Sequence, residues 1–365
     1  MREVEKTLRS SNSAVSNVER TRGAFSFQSS SVLCSSYATL RPQEPVLAFY
    51  ATPAPTHLPY LPGTNPRDIG EFGLHVVGSA ESVGEIVLLK TLAMIMQEWG
   101  LPVSRIRVNA LGDRDSQQRF QREMALFVRK HADRFDPLKR DSILQNPMLV
   151  FQGTPEDAHR QIATEGPRPM HFLSEKSRVH FRSILEHLEN LGLPYELDDA
   201  LVGDDRGQHI TFAMDMDDAD ATIVSSMGGR YDEYLKRESR HKNSVGASAS
   251  IFFRKKGATA SSFTCAVATR KPKVYFAQLG TRAKLQGLSV LDMLRSANVP
   301  VMQSFDATRF SSQLATAQAQ GVSHLLIIGQ REALDGTIIV RSMKNSSQVT
   351  VHLSEIPRFL KTLRV

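Results

Sequence analysis

From Lys273 onward the chain alternates short apolar runs with helical segments, and few folds accept that pattern. "KVYFAQLG" precedes a helical stretch from about Arg282 to Ala297, "VPVMQSF" precedes one around Ser312 to Gln320, and "HLLIIG" follows. Strands this apolar belong in a sheet covered on both faces, so the pattern predicts a small α/β domain with a mainly parallel sheet. A hairpin, "TIIVRSM" with "QVTVHL", and a terminal helix in "SEIPRFLKTL" complete it.

The residues before it read differently. Residues 1–45 are Ser-rich without periodicity and are expected to be a flexible segment. "VLAFYATPAP" reads as a strand entering a Pro-rich loop; proline donates nothing to a ladder, so this strand cannot be central. "EFGLHVVG" reads as a strand, and "SAESVGEIVLLKTLAMIMQEWG" as a helix with Ser79 or Ser82 as its cap. "SRIRVNALG" predicts a strand ending at Gly112, followed by a helix from about Asp115 to His131. Ser174-x-x-Ser177 opens another helix, with Phe181, Ile184, Leu185 and Leu188 on one face and its end at Gly192. "HITFAMD" and "DATIVSSM" form an antiparallel hairpin around an acidic turn, and "NSVGASASIFF" a strand leading into a helix. The expected organisation is a flexible segment 1–45, an antiparallel α+β core 46–257, a small-residue and basic linker 258–271, and an α/β domain 272–365.

Charge separates the same parts. The chain carries 45 Lys/Arg against 38 Asp/Glu, a net +7; residues 270–365 hold 13 against 5, a surplus of +8, which leaves 32 against 33 before them. A basic excess confined to one domain points to a polyanion such as RNA. With 41% hydrophobic and 23% charged residues, and no run near the roughly 18 apolar residues of a membrane helix, a cytoplasmic globular protein without membrane contact is expected. Two cysteines exclude a disulfide framework and a cysteine zinc site. His57, His75 and His209 lack ligand spacing, and "DMDDAD" lacks the glycine and glutamate of a calcium loop, so no metal site is expected.

From about Phe49 to Leu363 the chain resembles histidyl-tRNA synthetase, a class II aminoacyl-tRNA synthetase. "EFGLHVVGS" matches the strand after the family's motif 2. "VNALGD" stands for "INSLGD", "NPMLVFQ" for "NPLRILD", and "GGRYD" is the family's own string. "FLSEKSRVHFRSILEHLENLGLPYELDDALV" follows a family pattern throughout, and residues 272–363 resemble its anticodon-binding domain. The resemblance implies a class II synthetase-like antiparallel-sheet core followed by a small α/β anticodon-binding-like domain, with tRNA as partner and a homodimer as the family's usual assembly.

The activating residues do not carry over. Joining a carboxylate to the α-phosphate of ATP needs cations against the developing charge. The family's motif 2, "GPMFRxERP", is "TPAPTHLPY" here: the arginine position is Thr56, and Leu58 and Pro59 replace its "ER". The loop "LVRGLDYYxRTVFE" is "LVGDDRGQHITFAM", with Gly203 at the arginine and Arg206 three positions on. In motif 3 the arginine position falls on Phe253, with Arg254 next; on the helix expected there, that shift turns a side chain by about 100°. "HQxGxE", which reads histidine, is "GEFGLH", so Glu71 replaces glutamine and His75 replaces the imidazole-binding glutamate. Gln43 stands at the glutamate of "TLRPE", and motif 1 is not recognisable. One lost phosphate clamp commonly costs about 3–4 kcal/mol of barrier, so little activation is expected to survive.

The expected reading is a catalytically inactive histidyl-tRNA synthetase-like protein that binds tRNA or acts as a regulatory or interaction paralogue. A divergent active ligase, with Arg206 and Arg254 as its cations and ATP and Mg as cofactors, is the first alternative. A regulatory subunit of ATP phosphoribosyltransferase is the second; a true synthetase or that phosphoribosyltransferase would then be a partner. The pocket remnant is Glu71, His75, Gly228, Gly229, Arg230 and Tyr231, for which a scaffold role is favoured, with Arg230 pairing a nearby carboxylate. Gln278, Arg309, Gln313 and Gln330 are the candidate tRNA contacts.

Overall fold

The computed structural model describes residues 45–52, 68–152, 157–202, 209–218, 223–239, 244–254, 272–304 and 309–363. The chain divides into two compact units, Met1–Phe263 and Thr264–Val365.

In chain order the first unit contains β1 (Val46–Thr52), β2 (Ile69–Val77), α1 (Val83–Glu98), β3 (Val103–Ala110), α2 (Arg114–Lys130), α3 (Pro137–Gln145), α4 (Ala158–Ala163), α5 (Glu175–Asn190), β4 (Tyr195–Leu197), β5 (Ile210–Met216), β6 (Ile223–Arg230), α6 (Asp232–Ser239) and β7 (Gly246–Arg254). The strands form one sheet in the order β1-β2-β7-β6-β5-β3-β4, antiparallel except for β3 with β4. β1 is an edge strand among the described residues, as the following prolines require.

Register sorts this sheet into two chemically different faces. One carries Leu74, Ala249, Gly228, Phe212 and Val108 in a single cross-strand row, with α1 packed on it over β7 and β2 and against α5. The other carries Tyr50, Glu71, His75, Ser248, Ser250, Gly229, Thr211 and Asn109. Gly228 fits its row because a Cβ there would lie 2.3 Å from the Phe212 ring and 2.5 Å from the Ser248 carbonyl oxygen. A separate helical core of Phe120, Met124, Val128, Ile143, Val150 and Ile162 fills the segment between β3 and α5.

Two helix starts follow the expected chemistry. Ser174 caps α5 by accepting from Ser177 N at 3.3 Å, and Asp113 caps α2 by accepting from Ser116 N at 3.0 Å. Asp113 also accepts from Ser116 Oγ at 2.8 Å and Ser174 Oγ at 2.6 Å, so one carboxylate ties both starts together. Burial raises its pKa, but the bonds from Ser174 and Ser116 outweigh that and bring it from 3.8 to about 2. Asp113→Ala is expected to cost about 1–2 kcal/mol in denaturant titration. Ser82 does start α1, but its hydroxyl pairs with Ser183 Oγ at 2.8 Å instead of capping the helix.

The second unit contains β8 (Val274–Gln278), α7 (Thr281–Ser296), β9 (Val301–Gln303), α8 (Phe310–Ala319), β10 (His324–Ile328), α9 (Gln330–Asp335), β11 (Thr337–Ser342), β12 (Gln348–His352) and α10 (Ile356–Thr362). Its sheet runs β12-β11-β10-β8-β9, parallel across β10-β8-β9 and antiparallel across β10-β11-β12, so it is evenly mixed, less parallel than the pattern predicts. Val274 and Phe276 face α7 and α10, while Tyr275 and Ala277 face α8. Every residue of β8 is therefore buried, and each large apolar side chain so placed contributes about 1.5–3 kcal/mol.

A further expectation is corrected. The stretch 246–254 is a strand with no helix within it, so one residue of displacement in motif 3 inverts the face instead of turning the side chain about 100°. The charged run after "GGRYD" contains a helix, α6. Near the end of β5, Asp215 accepts from Arg105 Nε at 2.7 Å and Arg107 Nε at 3.0 Å, and beyond it Asp218 accepts from Ile223 N at 2.5 Å.

Candidate functional site

The polar face of β2 is where the substrate-reading residues are expected. Alternation puts Glu71, Gly73 and His75 on one side, with Tyr50 opposite Gly73 on β1 and Ser250 opposite it on β7. Glu71, His75, Ser248 and Ser250 are all buried. The Tyr50 hydroxyl donates to Glu71 Oε1, and Ser250 Oγ lies 2.6 Å from the Tyr50 hydroxyl oxygen. His75 Nδ1 is 3.0 Å from the Tyr231 hydroxyl, and its ring lies 5.4 Å from that of Tyr50. Further across, Asn109 Nδ2 donates to the carbonyls of Asp199 at 3.3 Å and Leu201 at 3.2 Å, and Thr211 Oγ1 to Leu201 at 2.6 Å.

"GGRYD" divides between the faces. Gly229 and Tyr231 lie with His75, but Gly228 and Arg230 do not, and Arg230 is corrected out of the pocket. It is 2% exposed, on the helix-covered side. Its Nε and Nη2 grip Glu85 of α1 at 2.6 Å each, Nη1 reaches Asp232 at 3.2 Å and the Ser79 carbonyl at 3.0 Å, and Nη2 the Glu81 carbonyl at 3.1 Å. All five guanidinium donors are thereby used. Glu85 is wholly buried and also meets His180 Nε2 at 2.8 Å. Burial pushes this carboxyl up, yet Arg230 and then His180 override it and hold it at about 2 against an ordinary 4.5. Arg230 is raised in turn by Glu85 and Asp232, against the effect of burial. The arrangement locks a helix to a sheet; it offers no cation to a phosphate.

Of the conditional catalytic cations, Arg254 is exposed at the end of β7, and Arg206 lies outside the described residues, as do Thr56, His57 and Gly203. His209 stands 4.0 Å from Asp232, and burial lowers its pKa despite that carboxylate. Among the described residues no three His, Cys, Asp or Glu side chains gather as a metal site, and no helix is long and apolar enough to cross a membrane.

In the second unit, Gln278 and Gln313 come together with each other. Gln313 Oε1 accepts from Gln278 N at 3.0 Å, its Nε2 donates to Gln278 O at 2.9 Å, and it is 1% exposed. Gln278 Nε2 donates to Gln303 at 2.5 Å across Gly287, whose missing Cβ leaves the room. The amide of Gln313 is therefore committed to the interior and turned away from any RNA, which corrects its expected role. Gln330 lies beside Gly280, where the chain takes φ 93°, at the carboxyl ends of β8 and β10. Arg309 is exposed ahead of α8.

Tyr50, Ser250 and Glu85 are the residues the sequence reading overlooks. Tyr50 opposite Gly73 is the only visible hint, and it needs the register of two strands to be read.

A largely antiparallel seven-stranded sheet flanked by helices, followed by a compact mixed α/β unit, resembles a class II synthetase-like core with an anticodon-binding domain. Residues 273–363 match the family described as the Anticodon binding domain. The histidine–tRNA ligase of Thermosynechococcus vestitus is 26% identical over 298 residues, covering 80% of this chain and 67% of that protein. That of Gloeothece citriformis is 24% identical over 304 residues, covering 82% and 69%. The crystal structure of apo histidyl-tRNA synthetase from S. aureus covers 90% of this chain and 81% of its own, at 20% identity and a TM-score of 0.45. The chain is a homologue of the histidine–tRNA ligases and spans about two thirds of the length of these curated relatives.

Proposed function

We propose that this protein binds tRNA through residues 272–365 and does not activate histidine, its synthetase-like core serving as a scaffold or interaction surface. The observation that carries the reading is the state of the polar face: Tyr50 lies between Glu71, Ser250 and His75, while Arg230 is consumed by Glu85 on the opposite face. The absence of arginine at positions 56 and 203 adds to it, because nothing at those positions would neutralise a triphosphate. The anticodon-binding match and the +8 surplus of the C-terminal residues support an RNA partner. ATP and Mg belong to the rival ligase reading only.

Two measurements test this. Purified protein is expected to show no histidine-dependent pyrophosphate exchange above background; clear turnover overturns the scaffold reading. Transfer RNA binding is expected to weaken linearly in log Kd against log salt, and Arg309→Ala to lower that slope by about 1. Binding that ignores salt, or an unchanged slope, argues against the assigned surface.

A further inference from the structure

We infer that the polar face of β2 is a formed recognition site for a phenol, occupied now by the side chain of Tyr50, and that removing this side chain opens it to a small free phenol. The inference rests on the scaffold reading, since the space cannot hold Tyr50 and an incoming ring together.

Three observations converge. First, the ring occupies the volume above Gly73: a Cβ at that position would lie 2.3 Å from Tyr50 Cε1 and Cζ and 2.4 Å from its hydroxyl oxygen, so any side chain on residue 73 excludes the ring. Second, the hydroxyl is read from two strands. It donates to Glu71 and has Ser250 Oγ 2.6 Å away as a donor in return, and these two residues are 1% and 2% exposed. A carboxylate acceptor with a hydroxyl donor beside it suits a weakly acidic O–H on a planar ring. Third, the flank is fixed. The His75 ring stands 5.4 Å from the Tyr50 ring at 34°, and its Nδ1 is held at 3.0 Å by Tyr231, itself 1% exposed. These groups come from β2, β7 and the end of β6, so the site stays assembled when β1 loses one side chain.

The test uses the full chain with Tyr50→Ala and p-cresol, which reproduces the tyrosine side chain from its ring outward. At ten times its Kd, p-cresol is expected to raise the variant's Tm by about 3–6 °C, saturably, and to leave the wild type unmoved. Toluene, the same shape without the hydroxyl, is expected to bind at least about tenfold more weakly. A folded variant with no shift overturns the inference, as does an equal shift in the wild type or equal binding of toluene. Should Tyr50→Ala not fold unaided, recovery of its circular dichroism on adding p-cresol supports the inference and failure to recover overturns it. Tyr50→Phe, which keeps the ring in place, is expected to bind neither compound. Histidine-dependent exchange by the wild type would overturn the scaffold reading alone, so the two failures are distinguishable.

Discussion

Arg230→Met is expected to destabilise the first unit by about 3–5 kcal/mol, measured by denaturant unfolding, because it strands the carboxylate of Glu85 in the interior. The loss exceeds a broken surface pair by several-fold, since an exposed ion pair contributes about 0–1 kcal/mol. The double variant Arg230→Met/Glu85→Gln is expected to recover part of it, because the most buried carboxylate is then neutral and only Asp232, still bonded by Gly246 N, lacks its cation. Acid follows the same logic. The carboxyl of Glu85 falls from an ordinary 4.5 to about 2 on folding, so its contribution is complete above pH 4.5 and is lost as pH drops toward 2. The Arg230→Met variant should lack that part of the acid transition. A shift of less than about 1 kcal/mol in the single variant would show that the pair does not hold α1 to the sheet.

Gln313→Ala is the second large effect. It leaves the backbone N–H and C=O of Gln278 without partners inside the second unit, at about 1–3 kcal/mol for each buried group. The expected sum is about 2–6 kcal/mol, read as a lower Tm of the C-terminal transition. Transfer RNA affinity, corrected for the folded fraction, is expected to stay within about twofold, because the amide faces inward. A direct RNA contact would give the opposite result: a nearly unchanged Tm with a loss of affinity of about tenfold or more, the value of one good hydrogen bond to a charged group.

Much of the fold is legible in the sequence. The Ser174-x-x-Ser177 cap, the helix of residues 83–98 and the strand-helix alternation beyond Lys273 are local patterns, and local periodicity finds them. The site is far less legible. Strand pairing joins Tyr50, Gly73 and Ser250, which lie 23 and 177 positions apart, and no local pattern carries that register. "GGRYD" misleads for the same reason: as a string it reads like one pocket wall, whereas a period of two sends Arg230 and Tyr231 to different sides of the sheet. Gln313 reads as a polar residue on a helix facing solvent because its bonding partner, a backbone amide 35 residues earlier, is invisible in composition. Family resemblance supplies the order of the elements but cannot say which polar groups have turned to one another.

The tethering of Leu201 by Asn109 and Thr211, with His209 N bonded to the Arg230 carbonyl at 3.0 Å, has a bearing on engineering. Leu201 and His209 are thus two independently held anchors, and they mark where a segment exchanged from a relative would have to begin and end.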